Sequence, residues 1–316
     1  MNRCLYCYKE IIGQDSANLN YHERCSKDFY NTKTPPVLNY TLEDMFELAQ
    51  KIVRSQKAVT GVQAKLSLSR KKISKDNETD RLTIVDLWGE YILKPQTKMY
   101  PELPEIEGLT MSLAQQSNIK TAPHSLIRLK SGELAYITKR VDRVKNRKLH
   151  MEDMCQLTER ITEHKYKGSY EQIGKAIQKY ASNPGFNLIN YYELVLFCYL
   201  TGNNDMHLKN FSLLKNQSKE YNLCPAYDLV ASELVVEGDD EDLALNLNGK
   251  KRKLKRKDFV AAMKTSRIND KAIENVFAKF KGMLPSWCDK IDISFLSPEM
   301  KEAYKEIIQL KFEKIY

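Results

Sequence analysis

Asp205 and Asn210 stand five residues apart in Gly202-Asn203-Asn204-Asp205-Met206-His207-Leu208-Lys209-Asn210-Phe211, with His207 and Lys209 between them. Asp228 follows eighteen positions after Asn210, in Pro225-Ala226-Tyr227-Asp228. Phosphoryl transfer calls for such a set. One carboxylate orients or accepts the acceptor's proton, an amide oxygen and a second carboxylate hold Mg²⁺, and a cation lies on the phosphates. Asp205 is therefore the candidate catalytic carboxylate, and Asn210 and Asp228 are the candidate Mg²⁺ ligands. His207 and Lys209 could orient the loop or touch phosphates. Gly-Asn-Asn-Asp taken by itself is also ordinary turn chemistry after a helix.

The catalytic loop of protein kinases has the same Asp-to-Asn spacing. Such enzymes also pair a strand lysine with a helix glutamate. Lys94 ends the apolar run Tyr91-Ile92-Leu93, and a lysine on a mostly buried strand needs an anionic partner. Nucleotide phosphates and Glu107 or Glu105 on the following helix would serve. Water reached from the strand end is the plainer alternative. Upstream, Ala58-Val59-Thr60-Gly61-Val62-Gln63-Ala64-Lys65 could lay backbone N–H groups over phosphates, with Thr60 and Gly61 at its centre.

A second cluster lies at the N-terminal end. Cys4-x-x-Cys7 and His22-x-x-Cys25 supply four soft ligands suited to tetrahedral Zn²⁺. A segment this short has too little core to fold by itself, and a metal would supply the missing stability. Reduced cysteines packed against Tyr6, Tyr21 and Phe29 are the alternative. Cys155, Cys198, Cys224 and Cys288 sit in apolar contexts and read as core residues.

These groups must be positioned by the elements between them. Residues 1–34 form the Cys/His segment, closed by the linker Asn31-Thr32-Lys33-Thr34-Pro35-Pro36. A helix is predicted from Leu42 to Val53, capped by Thr41. Strands are predicted around Leu66–Leu68, Leu82–Leu87, Tyr91–Leu93, Ser125–Leu129 and Ala135–Thr138, with a helix from Glu105 to about Asn118. From Met151 onward the pattern is largely helical. The run Leu188–Leu200 is apolar almost all round and predicts a buried helix that ends at Gly202 and leads into the Asp205 loop. Leu213–Leu214 and Asn222–Leu223 predict a hairpin that delivers Asp228. Further helices are predicted at Lys257–Lys264, Asp270–Phe280 and Pro298–Tyr316. The expected fold is α+β and two-lobed, resembling a protein kinase: an N-terminal segment over 1–34, a β-rich N-lobe over 35–142 and an all-helical C-lobe over 143–316, with a nucleotide cleft between the lobes.

The chain of 316 residues is 42% hydrophobic, enough for a sizeable core. No apolar run approaches the ~20 residues of a membrane span, and Met1-Asn2-Arg3-Cys4 lacks a secretory h-region. A cytoplasmic location with reduced cysteines is expected. The net charge is +9, and seven of the eight residues from Lys250 to Lys257 are basic. That tract suits a polyanion such as nucleic acid, or a solvated face. A zinc- and lysine-rich nucleic-acid-binding module would use Cys4–Cys25 and Lys250–Lys257, but would leave Asp205, Asn210 and Asp228 without a role.

Several blocks in order resemble the HipA family of bacterial serine/threonine kinase toxins. They include Thr60–Lys65, Tyr91-Ile92-Leu93-Lys94-Pro95, Leu103-Pro104-Glu105-Ile106-Glu107, Lys139-Arg140-Val141-Asp142-Arg143, His150–Gln156, Lys165–Tyr170, Asn203–Phe211 and Pro225–Asp228. The chain lacks the family's extra N-terminal subdomain and so is similar to the short form, HipT, whose missing piece is a separate small HipS-like protein. The resemblance implies ATP as donor, with Lys94 on its phosphates and Mg²⁺ on Asn210 and Asp228. It implies adenine contacts from the backbones of Lys139 and Val141, and Asp142 near the ribose. It further implies a protein substrate of the aminoacyl-tRNA synthetase class, and a HipB-type antitoxin through which DNA is bound. A small-molecule kinase on the same scaffold is the alternative. Family members often autophosphorylate a serine in the loop before Gly61. Here Ala58 occupies the upstream position, so any such role falls to Thr60 or Ser55.

Overall fold

The computed structural model describes residues 2–12, 20–56, 63–72, 79–85, 88–144, 147–236, 238 and 240–316. Thr60, Gly61 and the rest of the expected phosphate-covering turn lie outside these residues, as does Leu87. The chain divides into two compact units. The first comprises Met1–Gly108, Ala122–Arg140 and Ile293–Leu296. The second comprises Leu109–Thr121, Val141–Asp292 and Ser297–Tyr316.

The first unit begins with helix α1 (Glu23–Tyr30), which the sequence reading did not separate from its Cys/His surroundings. Its cap residue His22 is extended, and Asn31 closes it in the left-handed region at φ 58°. Helix α2 (Leu42–Gln56) follows, with Thr41 Oγ1 accepting from the Asp44 N–H and the Asp44 carboxylate accepting from the Thr41 N–H. This reciprocal pair at the start of the helix satisfies N–H groups that have no intrahelical partner.

Strands β1 (Leu66–Lys71), β2 (Arg81–Ile84) and β3 (Tyr91–Lys94) are followed by helix α3 (Leu103–Gln116), which is divided between the units at Gly108. Strands β4 (His124–Arg128) and β5 (Leu134–Lys139) complete a five-stranded antiparallel sheet of order β2-β1-β3-β5-β4. In β5 all residues but the last are buried, so the strand is covered on both faces rather than alternating. Lys94 pairs in register with Tyr136, which puts the lysine at the end of the central strand.

The second unit opens on a two-stranded ribbon, β6 (Arg143–Val144) and β7 (Arg147–Lys148), then β8 (Met151–Asp153) and the single-turn helix α4 (Met154–Leu157). Helix α5 (Tyr170–Tyr180) is capped by Ser169. Helix α6 (Pro184–Leu200) has Pro184 at its first turn and Asn183 as its cap, the positions where a missing N–H and a side-chain acceptor cost least. As expected from its composition, α6 is buried along most of its length: Leu194 through Leu200 are all at most 3% exposed. Strands β9 (Ser212–Lys215) and β10 (Tyr221–Leu223) form the anticipated hairpin. The unit closes with helices α7 (Arg256–Thr265), α8 (Asp270–Lys281), α9 (Leu284–Asp292) and α10 (Pro298–Ile315). Phe197 of α6 meets the Trp287 ring at 5.5 Å, and Trp287 donates its indole N–H to Ser117 Oγ at 3.1 Å, so its polar edge is satisfied within the core.

One expectation needs correction. The second unit is helical in its bulk but not all-helical, because Met151–Asp153 pairs with β9 and makes a three-stranded sheet of order β10-β9-β8. The reason is visible in Asp153. Its carboxylate caps α4 by accepting from the Gln156 N–H at 3.0 Å, and Gln156 reaches back to the Asp153 N–H at 2.9 Å. This capping box starts a helix directly at the end of a strand, and three residues carry too little periodicity to announce that strand.

Candidate active site

Gly202 makes the turn out of α6. Its φ is +65°, and a Cβ there would lie 2.9 Å from Ile307 Cγ2 and 3.2 Å from Glu233 Cβ, so both conformation and space favour glycine. The loop that follows is tied down residue by residue. Asn204 is buried; its N–H donates to Ser232 Oγ at 3.1 Å, its Oδ1 accepts from the same hydroxyl, and its amide donates to the Glu241 carbonyl at 3.3 Å. Asp205, held between buried Asn204 and buried Met206, is exposed.

The Asp205 carbonyl accepts from the His207 N–H at 2.8 Å and from Asn210 Nδ2 at 3.1 Å. The second bond turns Asn210 Oδ1 away from that carbonyl and leaves it as the oxygen available to a cation. The Asp205 carboxylate accepts from the Tyr166 hydroxyl at 2.6 Å, and the Tyr166 ring stands edge-on to His207 at 5.0 Å. His207 is buried, and its Nδ1 has no hydrogen-bond partner among the described residues. Burial holds its pKa below the ordinary value, opposed by the charges of Asp205 and Asp228 and assisted by that of Lys165. Asp228 itself is half-buried at φ +60°, a left-handed conformation that Asp adopts more readily than most residues.

Lys209 Nζ pairs with Asp153 Oδ2 at 2.7 Å, and its carbonyl accepts from the Tyr227 hydroxyl at 3.0 Å. Tyr227 also shares a 2.6 Å hydrogen bond with Ser212 Oγ on β9. Tyr227 thereby fastens the residue before Asp228 to the loop that carries Asn210. Asp205, His207, Asn210 and Asp228 consequently occupy one neighbourhood of the second unit. Amide and carboxylate oxygens are hard donors of the kind Mg²⁺ takes. Tyr166, Asp153 and Tyr227 carry much of this arrangement but were assigned no role from sequence. Each fell within a quoted block, yet nothing in the spacing marked it as a partner.

In the first unit, Lys94 Nζ lies 2.6 Å from Glu107 Oε1, and both side chains are buried. Glu107, rather than Glu105, is therefore the ion-pair partner. Glu105 accepts two hydrogen bonds from Gln96 at 2.7 and 3.0 Å, and burial pushes its carboxyl up to about 7. Gln63 donates to the Pro95 carbonyl at 2.9 Å beside Lys94. Lys139 closes β5 in the same unit. Its N–H donates to the Pro123 carbonyl at 2.8 Å and its ammonium lies over the Phe29 ring. Val141 and Asp142 open the second unit; Asp142 is buried and pairs with Arg143 at 2.9 Å.

The Cys4, Cys7 and Cys25 thiols and the His22 imidazole converge, with all four ligating atoms within 4.8 Å of one another. Cys7 Sγ and Cys25 Sγ lie 3.5 and 3.7 Å from His22 Nδ1. A tetrahedral ion with ~2.3 Å sulfur and ~2.0 Å nitrogen bonds has an S···N edge of roughly 3.6 Å, so the cluster has the right size. His22 Nε2 is 3.0 Å from the Glu10 carbonyl, to which it must donate. That bond fixes the tautomer and turns the Nδ1 lone pair toward the thiols, the usual arrangement behind a histidine ligand.

Four of the seven basic residues of the tract hold ion pairs within their own unit. Lys250 pairs with Asp258 at 2.9 Å, Lys251 with Glu241 at 3.0 Å, Arg252 with Asp240 at 2.6 Å and Arg256 with Glu274 at 2.7 Å. No described helix is long and apolar enough to cross a membrane.

The fold and the loop together define an α+β, kinase-like protein. Residues 57–287 match the HipA-like C-terminal domain, and the chain belongs to that family. It is 32% identical over 209 residues to "Putative kinase Y4dM" of Sinorhizobium fredii, covering 62% of this chain and 49% of that protein. It is 31% identical over 186 residues to a "Putative kinase" of Haemophilus influenzae, covering 55% and 52%. The chain thus spans about half the length of these curated relatives. Among solved structures it is similar to the HipA toxin in the Shewanella oneidensis complex of HipA, HipB and operator DNA, with a TM-score of 0.67, 19% identity and coverage of 84% and 70%. It is also similar to the Helicobacter pylori proinflammatory kinase CtkA, with a TM-score of 0.52, 17% identity and coverage of 71% and 87%. At these identities the likeness to solved structures is one of fold.

Proposed function

We propose that this chain is an ATP- and Mg²⁺-dependent serine/threonine protein kinase of the short, HipT-like kind, and that it acts as the toxin of a toxin–antitoxin system. The observation that carries the reading is the Asp205 loop. Asn210 Nδ2 is hydrogen-bonded to the Asp205 carbonyl, and Tyr227, the residue before Asp228, donates to the Lys209 carbonyl of the same loop. Bound Mg²⁺-ATP supplies the transferable phosphoryl group and neutralises charge on it.

The remaining roles belong to residues of the chain. Asp205, exposed and oriented by Tyr166, receives or orients the proton of the acceptor hydroxyl. Asn210 Oδ1 and the Asp228 carboxylate are the cation ligands. Lys94, held by Glu107, carries positive charge for the phosphates. Lys209, paired with Asp153, orients the loop rather than touching phosphate. His207 stays neutral and packs the loop against Tyr166. Thr60 and Gly61 cover the phosphates, Lys139 and Val141 meet adenine through their backbones, and Asp142 sits toward the ribose. The division into a Cys/His segment over 1–34, an N-lobe over 35–142 and a C-lobe over 143–316 follows these roles.

The substrate class is a protein of translation, an aminoacyl-tRNA synthetase by family analogy. The partners are a HipB-type antitoxin and a small HipS-like protein. DNA contact goes through the antitoxin, with Lys250, Lys251, Arg252 and Arg256 of the basic tract already engaged in ion pairs. Purified chain should transfer label from γ-labelled ATP to serine or threonine of a candidate synthetase. Asp205→Gln and Asp228→Gln should each abolish transfer while preserving the circular dichroism spectrum. Transfer retained in both folded variants would overturn the roles, and transfer to a sugar or aminoglycoside in preference to protein would overturn the substrate class.

A further inference from the structure

The N-terminal segment does more than collect four ligands. Its backbone closes the outer edge of β4, where the Leu126 N–H donates to the Leu5 carbonyl at 3.1 Å and Ser125 Oγ donates to the same oxygen at 3.2 Å. Leu5 lies inside the knuckle between Cys4 and Cys7. From the second ligand pair the chain runs into α1, whose Phe29 and Tyr30 rings meet Tyr91 of β3 at 5.9 and 6.0 Å. It then reaches the opposite edge of the sheet. There the Leu82 N–H of β2 donates to the Val37 carbonyl at 2.9 Å, and the Val37 N–H donates to the Asp80 carbonyl at 2.8 Å. The described residues 2–12 and 20–37, together the N-terminal strap, thus reach both edges of the sheet and pack on its central strand. Unpaired edges are otherwise a template for association with other chains.

Cys4 and Cys7 sit in a turn, while His22 caps α1 and Cys25 stands in its first turn, so the four ligands join the strap's two halves at the point where α1 begins. We propose that Cys4, Cys7, His22 and Cys25 bind one Zn²⁺ ion, and that this ion is a structural fastener for the strap that closes both edges of the Lys94-bearing sheet. Four protein ligands leave no open position, which is the pattern of structural rather than catalytic zinc. The sheet would then be braced from both edges and from one face, with Tyr91 at the start of β3 held by Phe29 and Tyr30 and Lys94 at its end. This inference does not depend on the kinase reading.

The test uses the full chain, purified with its thiols reduced. Elemental analysis should give one zinc per chain. Cys4→Ser with Cys25→Ser should abolish binding, whereas Cys288→Ser, outside the cluster, should retain it. Replacement by Co²⁺ should produce the intense visible absorption of a tetrahedral thiolate site. Chelation of the wild-type chain should then raise amide exchange at Leu126 and Leu82 by at least ~tenfold while leaving α6 unchanged. Because chelation acts on wild-type protein, a double variant that fails to fold does not prevent the measurement. Reduced chain that holds no zinc would overturn the proposal, as would zinc whose removal leaves exchange at Leu126 and Leu82 unaltered.

Discussion

The Tyr166 hydroxyl donates to Asp205 Oδ1 at 2.6 Å, so one oxygen of the only exposed side chain between Asn203 and Leu208 already has a fixed partner. The carboxylate is thereby held in one orientation. Tyr166→Phe removes the donor and keeps the ring against His207. A hydrogen bond of this kind contributes about 1 kcal/mol, which corresponds to about a five-fold fall in kcat. The KM for ATP should not move. Steady-state kinetics of the variant check this, and an unchanged kcat would remove Tyr166 from the positioning of Asp205.

The Lys94–Glu107 pair is buried on both sides, so Lys94→Met removes the ammonium that lies 2.6 Å from a buried carboxylate. Breaking such a pair from one side costs roughly 3–5 kcal/mol, whereas replacing both partners by apolar residues is often nearly neutral. Lys94→Met should therefore lower the denaturation midpoint strongly, and Lys94→Met with Glu107→Leu should recover most of it. Neither should use ATP if Lys94 serves the phosphates. Denaturant unfolding together with ATP consumption separates the structural role from the chemical one.

Asp153 acts at two places at once, as the cap of α4 and as the partner of Lys209. Asparagine caps a helix about as well as aspartate but cannot pair with an ammonium. Asp153→Asn should leave stability within about 0.5 kcal/mol while loosening the catalytic loop, seen as a lower kcat. Asp153→Ala should lose about 1 kcal/mol more through the cap. Thermal unfolding and kinetics on both variants distinguish the two contributions.

Glu105 supplies a pH test. Burial raises its carboxyl from 4.5 to about 7 in the folded chain. An acid whose folded pKa lies above its unfolded value favours folding when protonated. Its contribution is fully present below about 4.5 and is lost as pH rises through about 7. Glu105→Gln removes this dependence. Relative to the parent, the variant should gain up to about 3 kcal/mol at about pH 8 and gain nothing near pH 4.5. Unfolding curves at the two pH values read the difference directly.

The candidate site could be proposed from residue order because its parts are local. Asp205, His207, Lys209 and Asn210 lie in one loop, and a buried helix ending at glycine announces where that loop begins. The strands around Lys94 and the hairpin before Asp228 were legible for the same reason: their apolar runs are short and bounded by turn residues. The α1 helix was harder to see, since its signal is set by His22 and Cys25, which read as ligands. The β8 strand was hidden because three residues carry no period.

Tertiary structure alone decided which acid meets Lys94. Glu105 is nearer to Lys94 in sequence than Glu107, but α3 turns the two acids through about 200° relative to each other, so Glu107 faces the strand lysine and Glu105 faces Gln96. It also decided that Tyr166 reaches Asp205 across thirty-nine residues, that Asp153 reaches Lys209 across fifty-six, and that the basic tract meets Asp240, Glu241, Asp258 and Glu274 instead of lying bare. Local sequence sets backbone conformation and the order of elements. Which side chains finally share a hydrogen bond or a charge depends on how distant segments pack, and that leaves no periodic mark along the chain.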